Sequence, residues 1–161
     1  MNTIFLDIDG VLNSERSMVA AKVLRPLQGY ISYTERHYQE LDPVAVNLLR
    51  LLVKETNSEI VISSSWRKLY DSLDFFKMIF TQFGWHNAPV VGMTPIVDSG
   101  FRGQEIQQYI DCNDFFTGPY IIFDDDKDFF VHQPLIHVDV RYGLSYEHFD
   151  KAKQLLGCVE R

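Results

Sequence analysis

The sequence is poor in cysteine and has no long apolar run. Its 161 residues include only 2 cysteines, Cys112 and Cys158. Two cysteines are too few for a disulfide scaffold, so we expect free thiols in a reducing compartment. No apolar run approaches the length that crosses a bilayer, and the first residues carry acids where a secretory signal would be basic and then apolar. We therefore expect a cytoplasmic protein that does not engage a membrane.

Basic residues are also scarce, since 15 Lys and Arg stand against 22 Asp and Glu and give a net charge of −7. A protein that binds nucleic acid without sequence preference needs Lys and Arg to displace counterions from phosphates. We therefore expect no extended nucleic-acid binding surface. The remaining composition, 46% hydrophobic and 23% charged, is that of a globular protein, and the length predicts a single domain over residues 1–161.

Short β-rich apolar segments alternate with longer amphipathic ones, which is typical of an α/β fold. The short segments show no polar alternation, as expected for strands of a sheet that is covered on both faces. Asp42 followed by Pro43 is typical of a helix start. We predict strands at 3–6, 59–63, 89–91, 120–123 and 135–138, and helices from 43 onward and at about 68–83, 103–110 and 145–156.

Residues 14–40 fit neither pattern and are predicted to form a small irregular flap. Long irregular insertions in a compact domain are usually either functional or disordered, so a disordered surface excursion stays open as the alternative. The segment is too short for a large helical cap, and we expect a fairly open site. It contains His37, the histidine best placed along the chain to reach a substrate.

The segment FLDIDGVLN, residues 5–13, is the first that points to chemistry. An apolar strand ends at Asp7, Asp9 follows two positions later, and Gly10 allows a sharp turn. In extended backbone the two carboxylates point to the same side. Asp and Gly are common in turns, but a turn alone does not account for two same-facing acids at the strand end where open α/β sheets bind ligands.

The segment VISSSWR, residues 61–67, places three serines after a second apolar strand. Their hydroxyls can donate hydrogen bonds to an oxyanion, although one of them is expected to cap the following helix. Arg67 either binds substrate or pairs with an acid near the site. Arg102 opens a later helix, where its guanidinium could clamp a phosphate or a carboxylate.

The segment YIIFDDDKDF, residues 120–129, ends a further apolar strand in a cluster of acids. Some of these acids, Asp126 in particular, can equally form a solvated face. The mutual repulsion of acids at the end of a core strand must be offset by something. Oxygen ligands with no nearby Cys or His pair suit Mg²⁺ rather than zinc.

The order of these segments resembles the haloacid dehalogenase (HAD) superfamily over nearly the whole chain. The combination of LDIDGVLN, VISSSWR, TP, RGxEI and a DDD turn is similar to the HAD domain of Swiss Army Knife RNA repair proteins. The resemblance implies a Rossmann-like three-layer sandwich. Its central parallel sheet would have the strand order 5-4-1-2-3, with a minimal cap.

The resemblance also implies a phosphomonoesterase that forms an aspartyl-phosphate intermediate. Asp7 matches the nucleophile, and Asp9 matches the general acid and base. Ser63 matches the hydroxyl that binds the phosphoryl group, and Arg102 matches the basic residue that offsets negative charge.

The implied cofactor is Mg²⁺, and the implied substrate is a phosphorylated small molecule or a nucleic-acid end. Asp9 would bind the ion through its backbone carbonyl, and Asp128 would be a direct ligand, would support one, or would do neither. A phosphotransferase and a catalytically silent HAD-fold binding module are the alternatives. The predicted metal residues are Asp7, Asp9, Asp124, Asp125 and Asp128, and the predicted substrate contacts are Gly10, Ser64 and Arg67.

Overall fold

A parallel five-stranded sheet lies at the centre of the computed structural model, which describes residues 1–24, 32–114 and 116–157. Its strands are β1 (Asn2–Leu6), β2 (Ser58–Ile62), β3 (Val90–Met93), β4 (Tyr120–Asp124) and β5 (Leu135–His137). Each neighbouring pair is parallel, and the order across the sheet is β3-β2-β1-β4-β5. This is the predicted order read from the opposite edge, so the predicted topology is confirmed.

Helices connect or flank these strands. Asp42 caps one of them, because its Oδ1 accepts a hydrogen bond from the Val44 backbone N at 2.8 Å, and Pro43 occupies the first helical position as predicted. Most predicted strands and helices differ from the observed ones by only one or two residues at their ends. The described helices are α1 (Glu15–Leu24), α2 (Tyr33–Gln39), α3 (Pro43–Thr56), α4 (Leu73–Thr81), α5 (Arg102–Asp111) and α6 (Tyr146–Leu155).

The core lies on both faces of the sheet because successive strand residues point to opposite sides. Ile4 and Leu6 of β1 pack in the larger cluster, which includes side chains of α3, α4 and α6. Phe5 points the other way and packs with Ile106 of α5. Helices therefore cover both faces, and the protein is a three-layer α/β structure whose strands share one carboxyl edge.

The structure corrects the predicted helix at 68–83. A 3-10 helix (Ser65–Lys68) follows β2 directly, and α4 begins only at Leu73. Ser72 has extended backbone, with φ −155° and ψ 127°, so a single continuous helix cannot pass through it. The predicted helix therefore starts too early, because residues 69–72 separate the 3-10 helix from α4.

The structure also corrects the prediction that 14–40 is irregular, because its described parts are helical. At the start of α2, Ser32 and Glu35 form a capping box, in which each side chain accepts a hydrogen bond from the other's backbone N. Asn13 and Leu41 form an antiparallel bridge that brings the two ends of the insertion together. Residues 25–31 and Cys158 lie outside the described residues, and the flap function of the insertion stays a prediction.

Among the described residues, no helix combines the length and the apolar character that crossing a membrane requires.

Candidate active site

Three neighbouring strands deliver polar residues to the carboxyl edge of the sheet. Asp7 follows β1, and its backbone N donates to the Phe123 carbonyl of β4 at 3.0 Å. Ser63 follows β2, and its backbone N donates to the Leu6 carbonyl of β1 at 2.9 Å. Asp124 is the last residue of β4. The hydrogen bonds of the sheet therefore continue into the site and hold these residues side by side.

Asp7, Asp124 and Asp125 form a compact group of acids. Each offers a carboxylate oxygen that lies within 4.8 Å of the others, while Asp7 and Asp124 are buried and Asp125 is half-buried. Gly10 makes the close approach of Asp125 possible, because a Cβ at Gly10 would stand 2.5 Å from the Asp125 carboxylate. The predicted meeting of acids from two separate segments is therefore present in the structure.

Burial and mutual charge dominate the electrostatics of this group. Burial, followed by the charge of Asp7, raises the pKa of Asp124 to about 7. Burial likewise raises the pKa of Asp7, while the positive charge of Arg102 opposes that rise. Burial is also the main cause of the raised pKa of Asp125. Positive charge beside these carboxylates therefore favours their ionised forms.

Arg102 supplies part of that charge from the first residue of α5. Its Nη1 lies 3.7 Å from Asp7 Oδ1 and 3.7 Å from Asp124 Oδ2, and it donates a hydrogen bond to the Ser63 carbonyl. The guanidinium is mostly covered, with 15% of the side chain exposed. Arg102 therefore offsets charge on two of the three acids, as predicted.

The acids also suit a divalent cation that binds oxygen. Asp124 Oδ2 is fully buried and accepts no hydrogen bond within the described part of the chain. A buried carboxylate oxygen without a hydrogen bond is costly unless a cation satisfies it. Mg²⁺ is commonly bound by one or two carboxylates together with substrate phosphate oxygens. The donor set of Asp7, Asp124 and Asp125 fits such an ion.

The comparison with protein families agrees with this geometry. A family model described as the HAD domain in Swiss Army Knife RNA repair proteins matches residues 3–149. The chain belongs to this family. HAD domains are generally hydrolases of the phosphatase type and generally use Mg²⁺. Comparisons with curated proteins and with solved structures found no match.

Two serines of this HAD domain face the acid cluster in different ways. Ser63 is completely buried, and its Oγ has no hydrogen-bond partner within the described residues. Ser64 is the serine that caps the 3-10 helix, and its Oγ accepts from the Trp66 backbone N at 3.4 Å. A hydrogen bond from Ser64 to Asp7 lowers the pKa of that carboxyl, against the larger effect of burial. The Ser63 hydroxyl thus has no hydrogen-bond partner among the described residues, whereas the Ser64 hydroxyl supports Asp7.

The structure corrects the assignment of Arg67 as a substrate contact. Arg67 is only 5% exposed, and its guanidinium pairs with Glu105 of α5. The same guanidinium donates to the carbonyls of Ser63, Ser64 and Thr94. Since each of its nitrogens already has a protein acceptor, Arg67 holds the ends of β2 and β3 against α5. The alternative interpretation, in which Arg67 pairs with an acid, is the correct one.

Asp128 and the Asp9 side chain lie outside the acid cluster. Asp128 Oδ2 accepts a hydrogen bond from the Arg102 backbone N at 3.0 Å, so Asp128 holds the start of α5. Asp128 thus lies outside the group of three acids that could share an ion, at the start of the helix that carries Arg102. The Asp9 carboxylate accepts from Asn13 Nδ2 and Trp66 Nε1, both at 2.8 Å. Any contact of Asp9 with an ion through its backbone carbonyl stays a prediction.

Sequence reasoning missed Trp66 and Glu105. Trp66 is only 5% exposed, and a buried indole N–H needs a hydrogen-bond acceptor. That requirement, in a residue close to the predicted site serines, was the available signal. Glu105 lies one helical turn after Arg102, so the two side chains project from the same side of α5. This spacing was the signal for a second charged contact at the sheet edge.

Proposed function

We propose that this protein is a Mg²⁺-dependent phosphomonoesterase that works through an aspartyl-phosphate on Asp7. The observation that carries the proposal is the meeting of Asp7, Asp124 and Asp125 beside Arg102 at one edge of the sheet. The hydroxyl of Ser63 at the same edge, which has no hydrogen-bond partner in the described part of the chain, supports it. Membership in a family of phosphohydrolase-type domains supports it independently.

In the first step an Asp7 carboxylate oxygen attacks phosphorus and the bond to the ester oxygen breaks. Asp9 gives its proton to the leaving oxygen, so the product leaves as an alcohol. In the second step Asp9 takes a proton from water, the water oxygen attacks phosphorus, and the Asp7–phosphate bond breaks. Inorganic phosphate is released and Asp7 is regenerated.

The other residues of the site stabilise the negative charge of the phosphoryl group. The Ser63 hydroxyl donates a hydrogen bond to a phosphoryl oxygen, and the Arg102 guanidinium offsets the charge that spreads over these oxygens. Asp7, Asp124 and Asp125 would hold Mg²⁺. The bound ion would supply positive charge that reduces the repulsion between the carboxylates and the phosphate.

The substrate class we propose is a phosphomonoester on a nucleotide or at a nucleic-acid end. The description of the family names RNA repair proteins, which makes phosphorylated RNA ends the first substrates to examine. Helices α1 and α2 are the described parts of the insertion that we propose as a small flap beside the site.

The test is phosphate release from a panel of 5′- and 3′-phosphorylated oligonucleotides, mononucleotides and sugar phosphates. We expect turnover with Mg²⁺ and its loss on chelation. Asp7→Asn should lower turnover by at least about 10³-fold because the amide cannot act as the nucleophile. Acid-quenched wild-type protein should carry phosphate on Asp7.

The matched control is Asp126→Asn, which makes the same chemical change in an exposed acid that follows the cluster. This variant should keep turnover close to that of the wild type. Absence of turnover on the whole panel with Mg²⁺ present, or full activity of Asp7→Asn, would contradict the proposal.

A further inference from the structure

A tryptophan from another part of the chain holds one side of the Asp9 carboxylate. Trp66 Nε1 donates to Asp9 Oδ2 at 2.8 Å, across 57 positions of sequence. On the other side, Asn13 Nδ2 donates to Asp9 Oδ1 at 2.8 Å, and Asn13 Oδ1 accepts from the Gly10 backbone N at 2.7 Å. Both oxygens of Asp9 thus have a donor, one from the same turn and one from the segment after β2.

The indole of Trp66 is itself held in place by aromatic neighbours. The ring of His37, on α2, lies against it with 5.2 Å between ring centroids. His37 Nδ1 is within hydrogen-bond distance of the Tyr70 hydroxyl, at 2.9 Å, and the Tyr70 ring stacks on Phe75. Trp66 is only 5% exposed. Its N–H therefore points to Asp9 from a side chain that has little freedom to move.

We propose that Trp66 is a positioning residue for Asp9, fixing the carboxyl group that gives its proton to the leaving oxygen. The inference rests on the proposed function, because the proton donor has a role only if a phosphoester is cleaved. A carboxylate offers about four acceptor directions on its two oxygens, so the two hydrogen bonds leave room for the transferred proton. Removal of the indole N–H leaves the Asp9 carboxyl held by Asn13 on one side only, so the carboxyl can turn away from the leaving group.

The effect of removing the Trp66 N–H on the rate of cleavage depends on the leaving group of the phosphoester. An alkoxide is a poor leaving group and needs a proton as the ester bond breaks, whereas nitrophenolate leaves without one. A misplaced Asp9 therefore slows cleavage of alkyl phosphates and spares nitrophenyl phosphate. A tryptophan that served only to fill the core would, on removal, slow both reactions equally.

The experiment compares kcat/KM for p-nitrophenyl phosphate and for a nucleoside 5′-phosphate in Trp66→Phe. Phenylalanine keeps an aromatic ring and removes the N–H. We expect a loss of roughly 10-fold or more on the nucleotide, because small displacements of a catalytic group have effects of this size. On p-nitrophenyl phosphate we expect a loss below about threefold, because that leaving group needs no proton.

The matched control is Trp85→Phe, the same substitution at the other of the 2 tryptophans. Trp85 is buried against Phe80, with 5.0 Å between ring centroids, and has no place in the proposed site. Its substitution should leave the ratio of the two kcat/KM values unchanged.

A second measurement needs neither turnover nor a folded Trp66→Phe variant. In Trp85→Phe the remaining indole N–H signal in an NMR spectrum belongs to Trp66. Adding Asp9→Ala removes the acceptor and should speed exchange of this proton with solvent. Unchanged exchange would overturn the inference.

The outcomes separate the two proposals. Wild-type activity on both esters with an equal loss on both in Trp66→Phe overturns the positioning role and leaves the phosphomonoesterase standing. A wild type that cleaves neither ester, nor any member of the substrate panel, removes the phosphomonoesterase and this inference together. A selective loss on the nucleotide supports both.

Discussion

Asp124 shows how one buried carboxyl group makes the stability of the folded protein depend on pH. It is fully buried, and its pKa is raised from 3.8 to about 7, first by burial and then by the charge of Asp7. Between these two values the folded protein holds a proton that the unfolded chain has lost. Without a metal ion, the free energy of unfolding therefore falls as pH rises through this range.

Asp124→Asn should remove much of this decrease in the free energy of unfolding with pH, because asparagine keeps the size of the side chain and does not titrate. With a chelator present, the decrease in Tm between about pH 5 and pH 8 should be smaller than in the wild type. Added Mg²⁺ should raise the Tm of the wild type at about pH 8 and have little effect on the variant. Thermal unfolding followed by circular dichroism measures both.

Asp126→Asn serves as the control here as well, because it removes an exposed acid of the same segment. It should change the pH dependence of Tm far less than Asp124→Asn does, because the charge of Asp126 makes only a secondary contribution to the raised pKa of Asp125. If Tm decreased between the two pH values as much in Asp124→Asn as in the wild type, the buried carboxyl of Asp124 would not be the source of that decrease.

The turn that follows β1 is the element that lets acids from two strands meet. Gly10 lies in this turn with φ +71°, and a Cβ there would stand 2.5 Å from the Asp125 carboxylate. Gly10→Ala should therefore displace Asp125 as well as strain the backbone. We expect turnover to fall by roughly 10-fold or more, with weaker binding of Mg²⁺. Phosphate release and calorimetric titration with Mg²⁺ measure the two effects.

Gly84→Ala is a closely matched control for this turn. Gly84 also has φ +71°, and no described heavy atom lies within 4 Å of a Cβ at this position. The substitution should cost about 1–2 kcal/mol of stability from the left-handed backbone and leave activity intact. If both alanine variants lost activity to the same degree, the approach of Asp125 to Gly10 would have no special role.

Helix α2 illustrates why short elements escape prediction. α2 has only 7 residues, and helices of this length gain most of their stability from tertiary contacts. The capping pattern at Ser32 and Glu35 was visible in the sequence. The packing of His37 on Trp66, which ties α2 to the site, was not visible because it joins distant parts of the chain.

At the scale of the whole molecule, the net charge of −7 bears on how substrate is recognised. Long nucleic acids gain affinity through many phosphate contacts with Lys and Arg, and this affinity falls steeply with salt. We therefore expect recognition of the phosphorylated end alone. The comparison is between kcat/KM for a 5′-phosphorylated strand of about 20 nucleotides and kcat/KM for a 5′-phosphorylated dinucleotide, at fixed Mg²⁺. The value for the long strand should be less than about threefold higher throughout the range from roughly 50 to 200 mM salt.

Initial rates of phosphate release at several salt concentrations measure this. A large preference for the long strand that disappears as salt increases would reveal a basic binding surface and contradict the expectation.

Local pattern in the sequence determined the strands, the start of α3 and the acids that end β1 and β4. These follow from apolar runs and capping residues that act over a few positions, and parallel pairing then brings the strand ends together. Tertiary structure alone decided which polar and charged groups meet. Arg67 meets Glu105, Asp128 meets the start of α5, and Trp66 meets Asp9. Such pairs join residues that are far apart in the chain, so no local spacing records them.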